Sequence, residues 1–313
     1  MQGLLALHLS ALLAAVESQK QCLDNPLHGV QNSPSLLQTS RLQDVQVDMA
    51  ALHRVRDHCL TQYIDKVNSA SSGFTLDSMK QIIRSQDRVA KQSERKLVLC
   101  AGQGTTATVG VAFALEALHL HGYHWTHEVA TANENVLKGE LPAYVQSIWD
   151  MLQSGEENCR AALAEYDFTT LPSDVDYVSD TPFPETFLVF YQQFPQAKVI
   201  LSTRPAAEWV QKRRAHSGTP APVLNPCGAG SIGNYSDQQL EIFFDAYNEL
   251  VRCVVPQENL LEIDAISKTI DMPEEFLQFL SNYSLPSPAE QLIYNAEKWL
   301  NDVKELIKKR LVR

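Results

Sequence analysis

The chain of 313 residues lacks the marks of several broad functional classes. It has no basic excess: 26 Lys and Arg stand against 37 Asp and Glu, a formal net charge of −11 at pH 7. A general nucleic-acid binder needs a positive surface, so that class is excluded, whereas a local basic pocket for a small anion is not. Its six cysteines include no CxxC spacing, which argues against a zinc site, and no metal is expected. Internal repeats and low-complexity tracts are missing too. The 44% hydrophobic and 20% charged content is that of a globular protein, long enough for one large α/β domain with an appendage or for two modest domains.

The apolar run Leu4 to Val16, broken only by His8 and Ser10, is shorter than the roughly twenty residues a spanning helix requires. Its length suits a signal-peptide core, with Val16 and Ser18 as small residues before Gln19, although Met1, Gln2 and Gly3 bring no cation. Residues 1–18 are therefore read as a signal peptide and the protein as entering the secretory pathway, in the Golgi lumen or beyond; a first amphipathic helix of a cytoplasmic protein is the alternative. The sequons at Asn234 and Asn282 are compatible with the secretory route. Cys100, within an apolar strand, reads as a buried thiol. On the same route Cys22 with Cys59 and Cys227 with Cys253 are candidate disulfides that the sequence does not assign.

Residues 19–95 read as a stem followed by a helical extension, with apolar positions at helical spacing between Asp44 and Val67 and a second helix from Thr75 to Val89. Strand Leu97–Cys100 then feeds the small-residue loop Ala101–Thr108 and a helix from Val109 to His119. Helices follow over Pro142–Ala164 and, amphipathic, over Pro184–Phe194, with a strand end at Asp176–Asp180 between them. Strand Lys198–Ser202 leads into a helix over Ala206–Ala215, and Ser217–Gly233 is a Gly- and Pro-rich loop placed to act as a lid. Helix Ser236–Val254, strand Asn259–Asp264 and a short helix Pro273–Leu280 follow. This alternation predicts an α/β fold, a mainly parallel sheet flanked by helices, over residues 96–286. Residues 287–313 form a C-terminal amphipathic helix ending in Lys308, Lys309, Arg310 and Arg313; a packing role is expected, with membrane contact possible but not favoured.

A strand entering a glycine-containing turn at a helix N-terminus can hold a phosphate, because backbone N–H groups approach the anion and the helix end adds a positive partial charge. A P-loop hydrolase would need Lys before the Ser or Thr of this turn, and Gly104-Thr105-Thr106 has none. A dinucleotide-binding turn would want a third glycine where Ala107 stands.

Three segments resemble the P-loop-like sulfotransferase superfamily. Gly102-Gln103-Gly104-Thr105-Thr106-Ala107-Thr108 with Ala114-Leu115-Glu116-Ala117-Leu118 is similar to its G-x-x-R-T-G-T and A-L-E-x-L patterns. Ser179-Asp180-Thr181-Pro182, Ala197-Lys198-Val199-Ile200-Leu201-Ser202-Thr203-Arg204-Pro205 and Trp209 resemble the middle segment, and Val255-Pro256-Gln257-Glu258-Asn259-Leu260-Leu261 the last. The resemblance spans roughly Lys96 to Ser281. It implies 3′-phosphoadenylyl sulfate (PAPS) as co-substrate, with the 5′-phosphosulfate cradled by Gly104, Thr105, Thr106, Ala107, Thr108 and Val109. It also implies that Arg204 contacts the 3′-phosphate, which a planar guanidinium can grip bidentately. Lys212 stands where relatives carry a second, serine ligand of that phosphate, and Arg213 and Arg214 add to the local field.

The chain departs from the family pattern at the loop cation, replaced by Thr105, at the loop glycine, replaced by Ala107, and at the Asp following the Arg, replaced by Pro205 or Ala206. The lost cation ordinarily neutralises the leaving oxygen. Candidate bases for activating an acceptor hydroxyl or amine are His124, Asp180 and Glu128, with His127 a lesser one. The expected function is sulfuryl transfer to a small-molecule or glycan acceptor; the alternative is a degenerate relative that binds a nucleotide or partner without turnover.

Overall fold

The structure, a computed structural model, describes residues 49–70, 80–83, 93–118, 120–124, 142–216, 227, 232–264 and 272–280. All of them fall in the unit Asp48–Arg313. The expected signal peptide, most of the stem, the second extension helix but for residues 80–83, the lid apart from Cys227 and residues 232–233, and the C-terminal amphipathic helix lie outside the described residues, as do Glu128 and His127.

Five short strands form one sheet: β1 (Val98–Cys100), β2 (Gly122–Tyr123), β3 (Tyr177–Val178), β4 (Lys198–Ser202) and β5 (Leu260–Ile263). Their order is β2-β3-β1-β4-β5 and every pairing is parallel, with Leu99 beside Val178 on one side and Val199 on the other. Parallel strands need crossovers, and helices supply them on both faces. The period-2 alternation of the strands divides the core accordingly. Val98, Cys100, Tyr177 and Ile200 join a cluster with α2 (Thr108–Ala117) and the short Met272–Phe279 helix. Leu97, Leu99, Ala101, Val178, Val199 and Leu201 face the other cluster, beneath helices α1 (Met49–Ala70), α3 (Ala143–Gln153), α4 (Glu156–Glu165), α5 (Phe187–Gln193), α6 (Ala206–Ala215) and α7 (Asp237–Val254). This is the α/β architecture expected from the sequence.

Two elements differ from expectation. The single helix over Pro142–Ala164 is two helices, because Gly155 at φ 89° turns the chain between α3 and α4. The amphipathic segment after Pro184 is instead buried all round: a 3-10 turn at Pro184–Thr186 precedes α5, where Phe187, Leu188, Val189, Phe190, Tyr191 and Gln193 are all buried. Its polar Gln193 is satisfied by donating to the Tyr166 carbonyl and accepting from the Phe168 amide.

The extension helix α1 lies along α7, whose start is fixed by a reciprocal Ser236–Gln239 capping box. Cys59 of α1 is disulfide-bonded to Cys253 of α7, and Cys159 of α4 to Cys227. These bonds replace both pairings considered from sequence: Cys59 and Cys253 approach because α1 and α7 pack together (Cα–Cα 5.7 Å), a long-range contact that spacing does not encode. Cys100 is a buried free thiol, and burial pushes it up to about 12, partly offset by its hydrogen bond with Ser179. The loops closed span sequence separations of 194 and 68, which on chain entropy stabilise the fold by about 5 and about 4 kcal/mol. Non-reducing peptide mapping is expected to recover Cys59–Cys253 and Cys159–Cys227 linked peptides, with Cys100 alkylated only after denaturation. Any other linkage contradicts this connectivity.

Candidate active site

The C-terminal ends of adjacent strands β1, β3 and β4 carry the residues singled out from sequence, at the edge where parallel sheets bind ligands. After β1 the chain turns through Ala101–Ala107 into α2. Thr105 (φ 73°) and Ala107 (φ 62°) both hold left-handed backbone. The conformation that makes glycine useful at Ala107 is therefore kept without glycine, at a cost of about 1–2 kcal/mol. The loop is held in place from below. The Thr106 hydroxyl donates to the Gln103 carbonyl (2.6 Å), so its contact with Ser202 of β4 (2.7 Å) is donated by Ser202. The Trp209 indole N–H bonds the Gly104 carbonyl (3.1 Å), and the Tyr247 hydroxyl bonds the Ala101 carbonyl (2.8 Å). Gly102 is required: a Cβ there would run into the Ser202 side chain.

This scaffold turns donors outward. Ala107 is the N-cap of α2 and gives no side-chain cap, while its carbonyl accepts from Gly110 and Val111. The amides of Thr105, Ala107, Thr108 and Val109 have no acceptor among the described residues. The Thr105 hydroxyl is also buried without a partner. A row of unpaired donors at a helix N-terminus is a seat for an anion.

Arg204 follows β4. Its side chain is only 8% exposed, its Nε is buried and unpaired, and among the described residues its one bond is a long one to Glu208 (3.4 Å). Burial lowers its pKa, against the opposing pull of Glu208 and Asp264. A desolvated guanidinium with spare donors matches a phosphate group. Lys212, by contrast, is exposed on α6, and Arg214 is occupied by Asp237 (2.6 Å) and the Tyr235 carbonyl.

His124 and Asp180 come together, as both ends of β2 and β3 suggest: His124 Nε2 lies 3.0 Å from the Thr108 hydroxyl and 3.5 Å from Asp180 Oδ2. Burial lowers the His124 pKa more than Asp180 raises it, so its imidazole is neutral at pH 7. Asp180 sits at φ 64°, with Oδ1 accepting from the Thr181 amide. That same Oδ1 lies 3.0 Å from where a Cβ on Gly104 would be, so the carboxylate reaches the loop itself.

Two participants carry no motif. Glu185 is 2% exposed, accepts from the Thr181 hydroxyl (3.0 Å) and leaves its other oxygen unpaired. Burial pushes it up to about 7, against the pull of Arg213 and with a smaller push from Asp180. Arg213 is the second: the position of a Cβ on Gly104 is 2.6 Å from its Nη1. The one sequence signal for Arg213 was its i+4 spacing from Trp209, which puts both on the α6 face turned toward the loop. Among the described residues, no group of three or more His, Cys, Asp or Glu is placed to hold a metal ion, and no helix is long and apolar enough to cross a membrane.

Because Glu185 titrates at about 7 when folded and near 4.5 when unfolded, its protonated form stabilises the native state fully below pH 4.5, and this contribution drains away between pH 4.5 and 7. Glu185→Gln is thus expected to shrink the loss of thermal stability between about pH 5 and pH 8. Melting curves showing the same loss in variant and wild type would contradict the assignment.

Residues 97–221 match the family model described as a sulfotransferase domain. A search of curated proteins finds no match. Among solved structures, the sulfotransferase STF9 from Mycobacterium avium aligns over 84% of this chain and 90% of its own, at 9% identity and a TM-score of 0.35. The matched segment contains the loop after β1, the Asp180 turn, β4 with Arg204, and α6. The stretch that carries the candidate site is thus the stretch that is similar in sequence to a sulfotransferase domain.

Proposed function

We propose that this protein transfers a sulfuryl group from 3′-phosphoadenylyl sulfate to a hydroxyl or amine acceptor. The observation that carries the reading is the pairing of two sets of unpaired donors at one sheet edge. The loop 104–109 offers unpaired amides to a 5′-phosphosulfate, and Arg204 offers a buried, underused guanidinium to a 3′-phosphate. The first set suits the group that reacts, and the second suits the phosphate that distinguishes this nucleotide from others.

On the acceptor side, Asp180 is the carboxylate that reaches the loop, so it takes the acceptor proton. His124, neutral and hydrogen-bonded to Thr108, stands 3.5 Å from the carboxylate's other oxygen. Removing the proton as sulfur–oxygen bonding develops is the usual role of such a base. Two disulfides in the described fold support a secretory-pathway location, where oxidising conditions preserve them, and a glycan acceptor fits that setting. No nucleic-acid partner is proposed, in keeping with the net charge of −11. Thr105, standing in place of a loop cation, favours a second reading: a nucleotide binder without turnover.

Calorimetric titration with adenosine 3′,5′-bisphosphate tests the donor assignment. Wild type is expected to bind, and Arg204→Ala to bind about 10- to 100-fold more weakly, the usual loss when a charged hydrogen-bonding partner is removed. No binding by folded wild type overturns the reading. Binding without sulfuryl transfer from the donor to any hydroxyl or amine in a panel favours the second.

A further inference from the structure

We infer that Arg213 supplies the leaving-group cation that the phosphate loop lacks, reaching it from α6 rather than from the loop itself. This deepens the donor assignment above and rests on it. The loop from Gly102 to Thr108 contains no Lys or Arg. Arg213 lies across it: an added Cβ on Gly104 would stand 2.6 Å from Nη1 and 3.1 Å from Cζ of its guanidinium. Glycine at 104 is what allows that approach, since a Cβ there would push the guanidinium aside.

The placement is fixed by packing. Trp209, 2% exposed and stacked on Phe244 (ring centroids 4.6 Å apart), bonds the Gly104 carbonyl, and Arg213 sits one helical turn further on the same face. Among the described residues Arg213 makes no hydrogen bond and no ion pair. Its neighbours Lys212 and Arg214 behave differently, the first exposed and the second tied to Asp237. Asp180 Oδ1 flanks the same point over Gly104, yet it forms no ion pair with Arg213. A cation and a carboxylate thus both pack over Gly104 of the loop without being joined to each other. The carboxyl of Glu185, buried close by, lies within electrostatic reach of Arg213 but does not bind it, so the guanidinium stays available.

The reaction this cation serves is balanced as follows. The bond between sulfur and the bridging oxygen breaks, and its electron pair stays on that oxygen, which becomes a terminal oxygen of the 5′-phosphate in adenosine 3′,5′-bisphosphate. A lone pair of the acceptor oxygen or nitrogen forms the new bond to sulfur, and the acceptor proton passes to Asp180. Negative charge therefore grows on the bridging oxygen, where the guanidinium stabilises it. Arg213 thus touches the reacting group, whereas Arg204 serves the remote phosphate.

Separate ligands distinguish the two roles. Calorimetry with adenosine 3′,5′-bisphosphate and with adenosine 3′-monophosphate, which lacks the 5′-phosphate, is run on wild type, Arg213→Ala, Arg213→Lys, Gly104→Ala and Arg204→Ala. Each variant is first checked for native circular dichroism. Arg213→Ala is expected to weaken the bisphosphate about 10- to 100-fold and leave the monophosphate unchanged. Gly104→Ala, which removes no charge but takes the guanidinium's place, is expected to show the same selective loss, and Arg213→Lys a smaller one. Arg204→Ala is expected to weaken both ligands. If Arg213→Ala leaves the bisphosphate affinity intact, or weakens both ligands equally, the inference is overturned while the donor assignment survives. If folded wild type binds neither ligand, the donor assignment fails and takes this role with it.

Discussion

An uncapped helix end and a buried guanidinium impose the same constraint on this molecule: both keep hydrogen-bond donors that the described residues leave unpaired. The amides of Thr105, Ala107, Thr108 and Val109 point away from any acceptor, and Arg204 is left with one long contact to Glu208. Much of the surrounding structure keeps these donors in place. Ser202, Trp209 and Tyr247, from β4, α6 and α7, each fasten one residue of the loop from behind. Helix α7 is in turn tied to α1 through Cys59–Cys253, so the N-terminal extension buttresses the site without contributing chemistry to it. Leaving donors unsatisfied costs stability in the free protein, and that cost is what a bound anion recovers.

The charges around the loop are arranged to avoid cancelling one another. Arg213 lies near Asp180 and Glu185 without an ion pair to either. Asp180 accepts from the Thr181 amide and lies beside His124, and Glu185 accepts from the Thr181 hydroxyl. Burial favours the neutral forms of Glu185 and His124 around neutral pH, which lowers the charge packed around one small volume. The left-handed backbone at Thr105, Ala107 and Asp180 places backbone strain in the loop and turn of the candidate site.

The sequence showed much of the frame because its signals were local. The strand Lys198–Ser202 and the helix Ala206–Ala215 fall where a short apolar run and the turn residues Thr203-Arg204-Pro205 between them put them. The long helix over Pro142–Ala164 is two because Gly155 is one residue in an otherwise helical pattern, while the helix expected after Pro184 is present and only its amphipathic character is not, since α5 is buried at every position but Gln192. In the site, Arg204, Asp180 and His124 stood in motifs or at strand ends. Glu185 could not be read, since its importance lies in burial against the distant Arg213. Arg213 looked like one of three cations at a helix end, and only the fold shows that it turns to the loop while Lys212 faces solvent. The cysteines illustrate the same limit: the pairing of Cys59 with Cys253 depends on which helices pack, not on spacing.

Diffraction from crystals grown with adenosine 3′,5′-bisphosphate tests the central claim most directly. The 5′-phosphate is expected within hydrogen-bond distance of the amides in residues 105–109 and of the Arg213 guanidinium, with the 3′-phosphate against Arg204. Nucleotide density elsewhere on the molecule, or a 3′-phosphate turned away from Arg204, would contradict it.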